Sequence, residues 1–264
     1  MFDVHVTKWA VFPDEDPDTF PELVAKANAD GIGYLPWRET AVDELVAACD
    51  EHDVQWVSTA AGGAAGNTGR EGPAMTDPDC REAAVDAITE TCDRVGEYVD
   101  NVVVTVGPEQ DCVDEAVQQR AVVEALREAA PAAAEADVTL VVEPLNVRVD
   151  HPGYFLTTTD RGIEVVDAVD HEHVRLLYDV YHQQITEGDV VARIREHHDR
   201  IGMYHAAGVP GRTELGPDEL DWATVFAAIA DTGYEGTVGL EYVPQGDAVQ
   251  TVCDAVAIRD RVEG

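Results

Sequence analysis

Four ionisable residues occur where buried, β-prone runs of the sequence end. The clearest case is LLYDVYHQQ (176–184), in which an apolar run is followed at once by an acid, an imidazole and two amides. We call the four residues the strand-end cluster: Glu143, Asp179, His205 and Glu241. Side chains of these types are candidates for catalysis or metal binding if the ends of their strands meet.

The strand-end cluster has the composition of a divalent metal site. Three buried carboxylates repel one another and lose hydration, so they must either take up protons or bind a cation. A set of three oxygen donors and one nitrogen donor suits Mn²⁺ or Mg²⁺, with Co²⁺ as a further candidate, whereas Zn²⁺ usually takes more nitrogen or sulfur. Taken singly, each acid is more often a helix cap and a histidine more often a hydrogen-bonded core residue. Four of them on consecutive strands favour the metal site.

Two further residues are candidates for substrate binding. His182 follows Asp179 by three residues and is placed to hydrogen-bond a substrate oxygen, although a surface position in the loop is the alternative. Arg212 lies in the Gly/Pro-containing segment VPGRTELG (209–216). It is predicted either to clamp a substrate carboxylate, phosphate or enolate oxygen, or simply to pair with Glu214.

Short β-prone runs alternate with amphipathic segments along the chain. The predicted strands are 3–7, 32–36, 54–59, 101–106, 138–143, 174–179, 201–205 and 237–241. The predicted helices are 19–30, 39–52, 78–98, 113–130, 159–169, 189–198, 221–233 and 248–262. Nearly continuous apolar strands between helices are typical of parallel strands that are buried on both faces.

Eight such units predict an α/β fold, a (β/α)8 TIM barrel that forms one domain over residues 1–264. A doubly wound sheet is the competing architecture, but the G-x-G-x-x-G turn of a dinucleotide-binding first strand is missing. In a barrel, the ends of strands five to eight are neighbours at the C-terminal rim, so the strand-end cluster is expected to converge there. The longest loops, 60–77, 144–158 and 206–220, also follow strands and are expected on this face.

Local signals divide the chain in the same way. Asp160, Asp189 and Asp221 each precede or open an amphipathic segment and are predicted N-caps. The segment DTGYEG (231–236) is a predicted helix stop.

The charge of the chain is strongly negative. There are 53 Asp and Glu against 17 Lys and Arg, which gives a formal net charge of −36, and Lys8 and Lys26 are the only lysines. An acidic surface with few lysines indicates a protein kept soluble in concentrated salt. Binding to nucleic acid is disfavoured because phosphate contacts need clustered Lys and Arg.

The remaining composition indicates a cytoplasmic protein, in a cell interior of high salt. The N-terminus has no basic segment followed by an apolar one, and no apolar run is long enough to span a membrane. Five cysteines without C-x-x-C spacing are expected to be reduced and packed as small apolar groups. The oligomeric state stays open, a homo-oligomer being one alternative.

Several motifs together resemble those of the xylose-isomerase-like sugar isomerase and epimerase superfamily, most closely its hydroxypyruvate isomerase branch. The resemblance is strongest over residues 138–244. The motifs are VVEPLN (141–146), HPGYFLTTT (151–159), LLYDVYHQQITEGD (176–189), VPGRTELG (209–216), ELDW (219–222) and GTVGLEYVP (236–244).

The resemblance implies specific roles for the candidate residues. The strand-end cluster would hold one divalent ion, Glu143 and Glu241 would be the acid/base pair, and His182 and Arg212 would contact substrate. The sequence departs from the branch at His205, where glutamine is usual and where histidine resembles the ketose 3-epimerases. It departs again at Gly33, where relatives commonly carry glutamate.

The expected reaction is a proton transfer between adjacent carbons of a small hydroxy-carbonyl compound through an enediolate. No organic cofactor is expected, and Lys8 is the only lysine near a strand end that could form a Schiff base. An isomerase acting on hydroxypyruvate or a similar keto acid is the first hypothesis, and a ketose 3-epimerase of the tagatose or psicose type is the second. An abasic-site endonuclease and a non-catalytic sugar-binding barrel are the remaining alternatives.

Overall fold

The chain folds into a closed barrel of parallel strands surrounded by helices. The structure is a computed structural model, and it describes residues 2–61 and 72–263. Each strand pairs in parallel with the next, and the last pairs with the first, so the sheet closes in the order of the sequence. The TIM barrel prediction is therefore confirmed, and a doubly wound sheet is excluded because that sheet stays open.

The predicted alternation of strands and helices is reproduced. The strands are β1 (Asp3–Thr7), β2 (Gly31–Gly33), β3 (Gln55–Ala60), β4 (Asn101–Val104), β5 (Thr139–Val142), β6 (Val174–Asp179), β7 (Ile201–Ala206) and β8 (Thr237–Leu240). The helices are α1 (Lys8–Val11), α2 (Phe20–Lys26), α3 (Val42–His52), α4 (Arg81–Val95), α5 (Glu115–Ala136), α6 (Thr159–Val169), α7 (Val180–Thr186), α8 (Val190–His197), α9 (Trp222–Asp231) and α10 (Ala248–Glu263). Within residues 2–61 and 72–263, short 3₁₀ helices cover Trp37–Glu39, Pro78–Cys80 and Gly96–Tyr98.

The second strand is shorter than predicted. It ends at Gly33, and the pairing of β2 with β3 shifts register between Ile32 and Gly33. Pro36, which the prediction included, has no backbone N–H to continue a ladder and instead precedes the 3₁₀ helix Trp37–Glu39.

The helix caps correct one prediction and support another. Asp160 lies inside α6, whose N-cap is Thr158, with an extended backbone and a side chain that accepts a hydrogen bond from Arg161 N. Asp221 does cap α9, through a bond from Thr224 N. Asp189 occupies the N-cap position of α8 with a left-handed backbone, φ +54°, and its side chain makes no capping bond.

The inside of the barrel differs between its two halves. On the side of β4 to β7, a small apolar cluster fills the centre, formed by Val103, Val141, Leu177 and Met203. On the opposite side the strands carry glycine at positions 33 and 239, and the buried imidazole of His5 lies against both. The apolar cluster lies one inward-facing layer below Asp179 and His205, and so forms part of the floor beneath the carboxyl ends of the strands.

Two smaller expectations have mixed outcomes. All five cysteines are free; Cys49 and Cys92 are buried as predicted, but Cys112 is exposed in a turn. The loops after β5 and β7 follow the carboxyl ends of their strands, whereas most of the predicted loop 60–77 lies outside the described residues. Among the helices that the structure describes, none has the length and apolar character needed to cross a membrane.

Candidate metal centre and active site

The structure brings the strand-end cluster together at the C-terminal end of the barrel. Asp179 ends β6 and pairs with His205 in β7, while Glu143 and Glu241 each come one residue after their strands. Backbone bonds continue the ladder through both glutamates, from Glu143 N to Val104 O (3.1 Å) and from Glu241 N to Ala206 O (3.1 Å). All four side chains are buried. Each offers one atom that could bind a metal ion, and these four atoms all lie within 4.8 Å of one another.

The donor atoms of the strand-end cluster fit a divalent cation. Within the described part of the chain, Glu143 Oε1 and both ring nitrogens of His205 are buried without a hydrogen-bond partner. His205 Nδ1 lies 3.3 Å from Glu241 Oε2 and 4.0 Å from Glu143 Oε1, an ion-pair arrangement without hydrogen-bond geometry. Buried polar atoms are normally satisfied, so convergent acceptors and an imidazole that lack partners are typical of a ligand set.

The two glutamates of the cluster have opposite electrostatic environments. Burial, with the nearby charge of Glu241, raises the pKa of Glu143 to about 8. Burial alone would also raise the pKa of Glu241, but His205 and Arg212 outweigh it and hold this pKa below its ordinary value. In the metal-free site, one carboxyl group is therefore protonated and the other ionised at neutral pH.

His205 and Asp179 are perturbed by the same surroundings. Burial opposes a charge on His205, but the neighbouring Glu241 and Glu143 raise its pKa to about 9. Burial raises the pKa of Asp179, against the opposing effect of Arg212. The imidazolium and the guanidinium thus balance part of the negative charge of the cluster.

Arg212 is placed directly beside the strand-end cluster. Its guanidinium carbon lies 5.2 Å from the ring centres of both Trp9 and Tyr181. Its Nε donates to Glu241 O at 3.1 Å, and a terminal nitrogen donates to the Glu241 carboxylate and lies 3.8 Å from Asp179 Oδ2. The backbone of Arg212 is left-handed, with φ +55°.

The alternative pairing of Arg212 with Glu214 is wrong. The Glu214 carboxylate instead accepts a hydrogen bond from Gln245 N at 2.9 Å. The Arg212 side chain instead contacts the Glu241 carboxylate and the rings of Trp9 and Tyr181.

His182 is buried and not a surface loop residue. It lies in the first turn of α7, and its backbone N–H donates to Asp179 Oδ1 at 3.1 Å, so Asp179 also caps this helix. Its Nε2 lies 3.6 Å from Asp179 Oδ2. Burial, reinforced by the charge of Arg212, lowers the pKa of His182 well below its ordinary value, so the ring is neutral.

Several residues of the site were missed by the sequence reasoning. Trp9 donates from Nε1 to Glu241 Oε1 at 2.9 Å, and Asn146 contacts His182. His5 lies beneath the site with its ring centre 5.9 Å from that of His205. Trp9 comes two residues after β1 and Asn146 three residues after Glu143, so the rule that strand ends carry chemistry, applied to the residues just beyond each end, would have included both.

Gly239 makes room for the two imidazoles beneath the cluster. A methyl group added to its Cα would lie 2.5 Å from His5 Nε2 and 2.6 Å from His205 Cδ2, closer than van der Waals contact allows. The absence of a side chain at this position lets both rings lie where they are.

Comparison with known proteins agrees with this geometry. Residues 21–258 match the family described as xylose isomerase-like TIM barrel. The chain belongs to this family. Within it, the chain is 34% identical over 232 residues to 2-oxo-tetronate isomerase of Cupriavidus necator, covering 86% of this chain and 88% of that protein.

Other members match over shorter segments or by fold. A human putative hydroxypyruvate isomerase is 38% identical over 128 residues, so the alignment spans about half of each protein, 48% of this chain and 46% of the relative. A structure described as AP endonuclease, family 2, from Brucella melitensis superposes with a TM-score of 0.87 at 23% identity, over 97% of this chain and 99% of that one. D-psicose 3-epimerase with D-tagatose from Clostridium cellulolyticum H10 superposes with a TM-score of 0.82 at 20% identity, over 99% of both chains. At these identities, the two superpositions establish the fold alone.

Proposed function

We propose that the protein is a metal-dependent isomerase that moves a proton between adjacent carbons of a small hydroxy-carbonyl compound, as hydroxypyruvate isomerases do. The observation that carries this proposal is the buried strand-end cluster, in which three carboxylates and one imidazole offer ligand atoms within 4.8 Å of one another. The relatives named hydroxypyruvate isomerase and 2-oxo-tetronate isomerase support the same reaction class.

The residues of the site divide the reaction between them. Glu143, Asp179, His205 and Glu241 would hold one divalent ion, with Mn²⁺ or Mg²⁺ favoured and Co²⁺ as the further candidate. When bound, that ion supplies Lewis acidity to the carbonyl group of the substrate.

The proton is moved by the two glutamates. Glu241, which its surroundings keep ionised, accepts the proton from the carbon next to the carbonyl group, and the electron pair of the broken C–H bond forms the C=C bond of an enediolate. The electron pair of the C=O double bond moves onto the carbonyl oxygen, and Glu143 delivers a proton, which it exchanges with solvent, to the former carbonyl carbon. The proton of the adjacent hydroxyl group passes to the former carbonyl oxygen, so the carbonyl group is re-formed on the adjacent carbon. His182 and Arg212 bind substrate oxygens, and Trp9 and Tyr181 keep the Arg212 side chain in place.

A ketose 3-epimerase is the second candidate, and His205 is the observation that favours it. The same two glutamates would then act on opposite faces of one carbon. An endonuclease of abasic sites is disfavoured by the net charge of −36 and the two lysines, because binding to phosphates requires basic residues. A non-catalytic sugar-binding barrel would not need a buried glutamate oxygen that lacks a hydrogen-bond partner, such as Glu143 Oε1 among the described residues.

The deciding experiment follows deuterium uptake by NMR in D₂O. The protein is stripped of metal, reconstituted with Mn²⁺ for assay and Mg²⁺ for NMR, and offered hydroxypyruvate, 2-oxo-tetronate and a ketohexose at high salt. Interconversion of a keto acid with deuterium at the carbon that receives the proton is expected. Exchange confined to C3 of the ketohexose, without turnover of either keto acid, would establish the epimerase instead.

Two variants make the assay specific to the site. Glu241→Gln should abolish exchange, and Glu235→Gln, an exposed residue near the opposite end of β8, should leave it unchanged. Sugar binding that survives Glu241→Gln, together with no turnover of any substrate by the wild type, would identify a binding protein.

We further propose one barrel domain whose active site lies at the carboxyl ends of its strands, in a cytoplasm of high salt. The excess of acidic residues supports the high-salt environment, because counterions screen their mutual repulsion.

A homo-oligomer stays the alternative to a monomer, to be decided by light scattering. Unfolding in urea should shift to higher concentrations of urea as the concentration of KCl is raised.

A further inference from the structure

Asn146 is fully buried beside the active site, and its amide group has one possible orientation. It lies in the loop after β5, and its Oδ1 faces the backbone N–H groups of Val149 (2.9 Å) and Asp150 (3.2 Å). Because backbone N–H groups only donate, the atom that faces them must be the amide oxygen. The amide nitrogen is thereby directed to the other side.

The Asn146 amide nitrogen has two acceptors. Nδ2 lies 2.7 Å from Asp150 Oδ2 and 2.7 Å from His182 Nδ1. An amide nitrogen carries two hydrogens, and these two contacts use both of them.

The Nδ1 atom of His182 is therefore an acceptor. Besides Asn146 Nδ2, the backbone N–H of Asn146 also points at it, at 3.4 Å. A ring rotated by half a turn would place a C–H group against both donors, so the observed orientation is the one that satisfies them. The rings of His151 and Tyr181, each with its centre 5.3 Å from that of His182, pack edge-on against the imidazole and limit its rotation.

We propose that Asn146 is a positioning residue that holds His182 as a neutral imidazole with its proton on Nε2, so that His182 donates a hydrogen bond to a substrate oxygen and does not accept a proton. A neutral ring without a proton on Nδ1 carries its single proton on Nε2. Nε2 faces the strand-end cluster, 3.6 Å from Asp179 Oδ2, as suits a donor beside an acid. The part concerning the substrate rests on the proposed isomerase function.

The consequence is a division of roles between the imidazole and the glutamates. An imidazole fixed as a donor cannot remove the substrate proton, which leaves proton transfer to Glu143 and Glu241. It also requires that the substrate group facing His182 Nε2 be a hydrogen-bond acceptor, such as a carbonyl, carboxylate or hydroxyl oxygen. A substrate with only a donor or an apolar group there would leave the buried N–H unsatisfied.

The loop that carries Asn146 also contacts, through Asp150, the surroundings of Arg212, the second proposed substrate-binding residue. Asp150, which accepts from Asn146, is also hydrogen-bonded to the hydroxyl of Tyr181, and the ring of Tyr181 lies against Arg212. Asn146 and Asp150 thus connect the two donors that would hold the substrate, His182 and Arg212.

The proposal is tested by the ¹⁵N NMR spectrum of the full-length protein labelled in its histidine rings, in metal-free and Mg²⁺-loaded form. The His182 signals are assigned by their loss in His182→Gln. A neutral ring with an unprotonated Nδ1 and a protonated Nε2 is expected in the wild type. A protonated Nδ1 or an imidazolium at neutral pH would overturn the proposal, and this measurement on the wild type does not depend on the stability of an Asn146 variant.

Two variants then separate Asn146 from its neighbour. Asn146→Asp replaces the donor by an acceptor and should draw the proton to Nδ1, with a fall in kcat of about 10²–10³-fold, as for loss of one donor to a reacting oxygen. Asp150→Asn keeps the bond between Asn146 and His182 and should leave the tautomer unchanged. An unchanged His182 spectrum in Asn146→Asp, or the same shift in both variants, would overturn the assignment to Asn146.

The result is distinguishable from failure of the proposed function. If no substrate is turned over but the wild type shows the expected tautomer, the isomerase function fails and the positioning role of Asn146 stands. If turnover is found with the proton on Nδ1, the function stands and the role of Asn146 fails.

Discussion

Replacing Glu143 by glutamine should change how the stability of the metal-free protein depends on pH. The native state holds the pKa of Glu143 at about 8, against an ordinary value of 4.5. Between these values the folded chain keeps a proton that the unfolded chain has lost, so stability falls as the pH rises toward 8. The amide that replaces the carboxyl group in Glu143→Gln has no such proton to lose, and it resembles a protonated glutamate in shape.

The size of the effect follows from the linkage of protons to folding. One proton held only by the folded state gives a slope of about 1.4 kcal/mol per pH unit, or about 3 kcal/mol over roughly two pH units between the two pKa values. The wild type should therefore lose about this much stability relative to Glu143→Gln over the interval, so the variant becomes the more stable protein at its alkaline end.

The assay is urea unfolding followed by tryptophan fluorescence, in chelator and at constant KCl. Glu235→Gln, an exposed residue away from the cluster, is the control and should run parallel to the wild type. Saturating metal should reverse the wild-type trend, because the ion displaces the proton and binds more tightly as the pH rises. Parallel curves for Glu143→Gln and wild type in the absence of metal would refute the reasoning.

Three further substitutions test the remaining parts of the site. Asp179→Asn should lower the affinity for Mn²⁺, measured by calorimetry. Loss of a residue that only hydrogen-bonds to a metal ligand typically costs roughly 10- to 100-fold in affinity, and loss of the ligand Asp179 should cost more. An unchanged affinity would show that Asp179 is not a ligand. His182→Ala should bind Mn²⁺ as the wild type does but lose about 10²–10³-fold in kcat, and equal turnover would show that His182 does not contact the reacting oxygen. Arg212→Lys should lose about 1–3 kcal/mol of stability in urea and also turnover, because an ammonium group cannot lie flat between the rings of Trp9 and Tyr181; wild-type stability would show that the two rings do not hold the side chain.

The strand-end cluster could be predicted because its placement depends only on topology. In a parallel barrel the carboxyl ends of consecutive strands meet at one rim, so identifying four strands correctly was enough to bring Glu143 and Glu241 together. An error of one residue in the ends of β5 and β8 did not matter, since the backbone ladder continues through both glutamates.

Other features could not be predicted because they depend on local backbone geometry. Arg212 lies in an irregular loop with a left-handed backbone, and its contacts come from residues distant in the sequence, so the sequence left both a substrate clamp and a pair with Glu214 open. The cap of α6 is Thr158 and not Asp160, because an extended backbone at Thr158 decides which side chain reaches the helix start. The role of Asn146 depends on two backbone N–H groups, whose directions no residue pattern specifies.

Gly239 places a steric requirement on the active site that the residue types of the ligands do not reveal. A single methyl group there would lie within 2.6 Å of atoms of both the His5 and the His205 rings, so we expect His205 to shift relative to the other three ligands. In a homologous sequence with alanine at this position, retention of the acids and histidines would therefore not by itself establish the geometry of the metal site. Surveys that infer activity in related sequences should read this glycine together with the ligands above it.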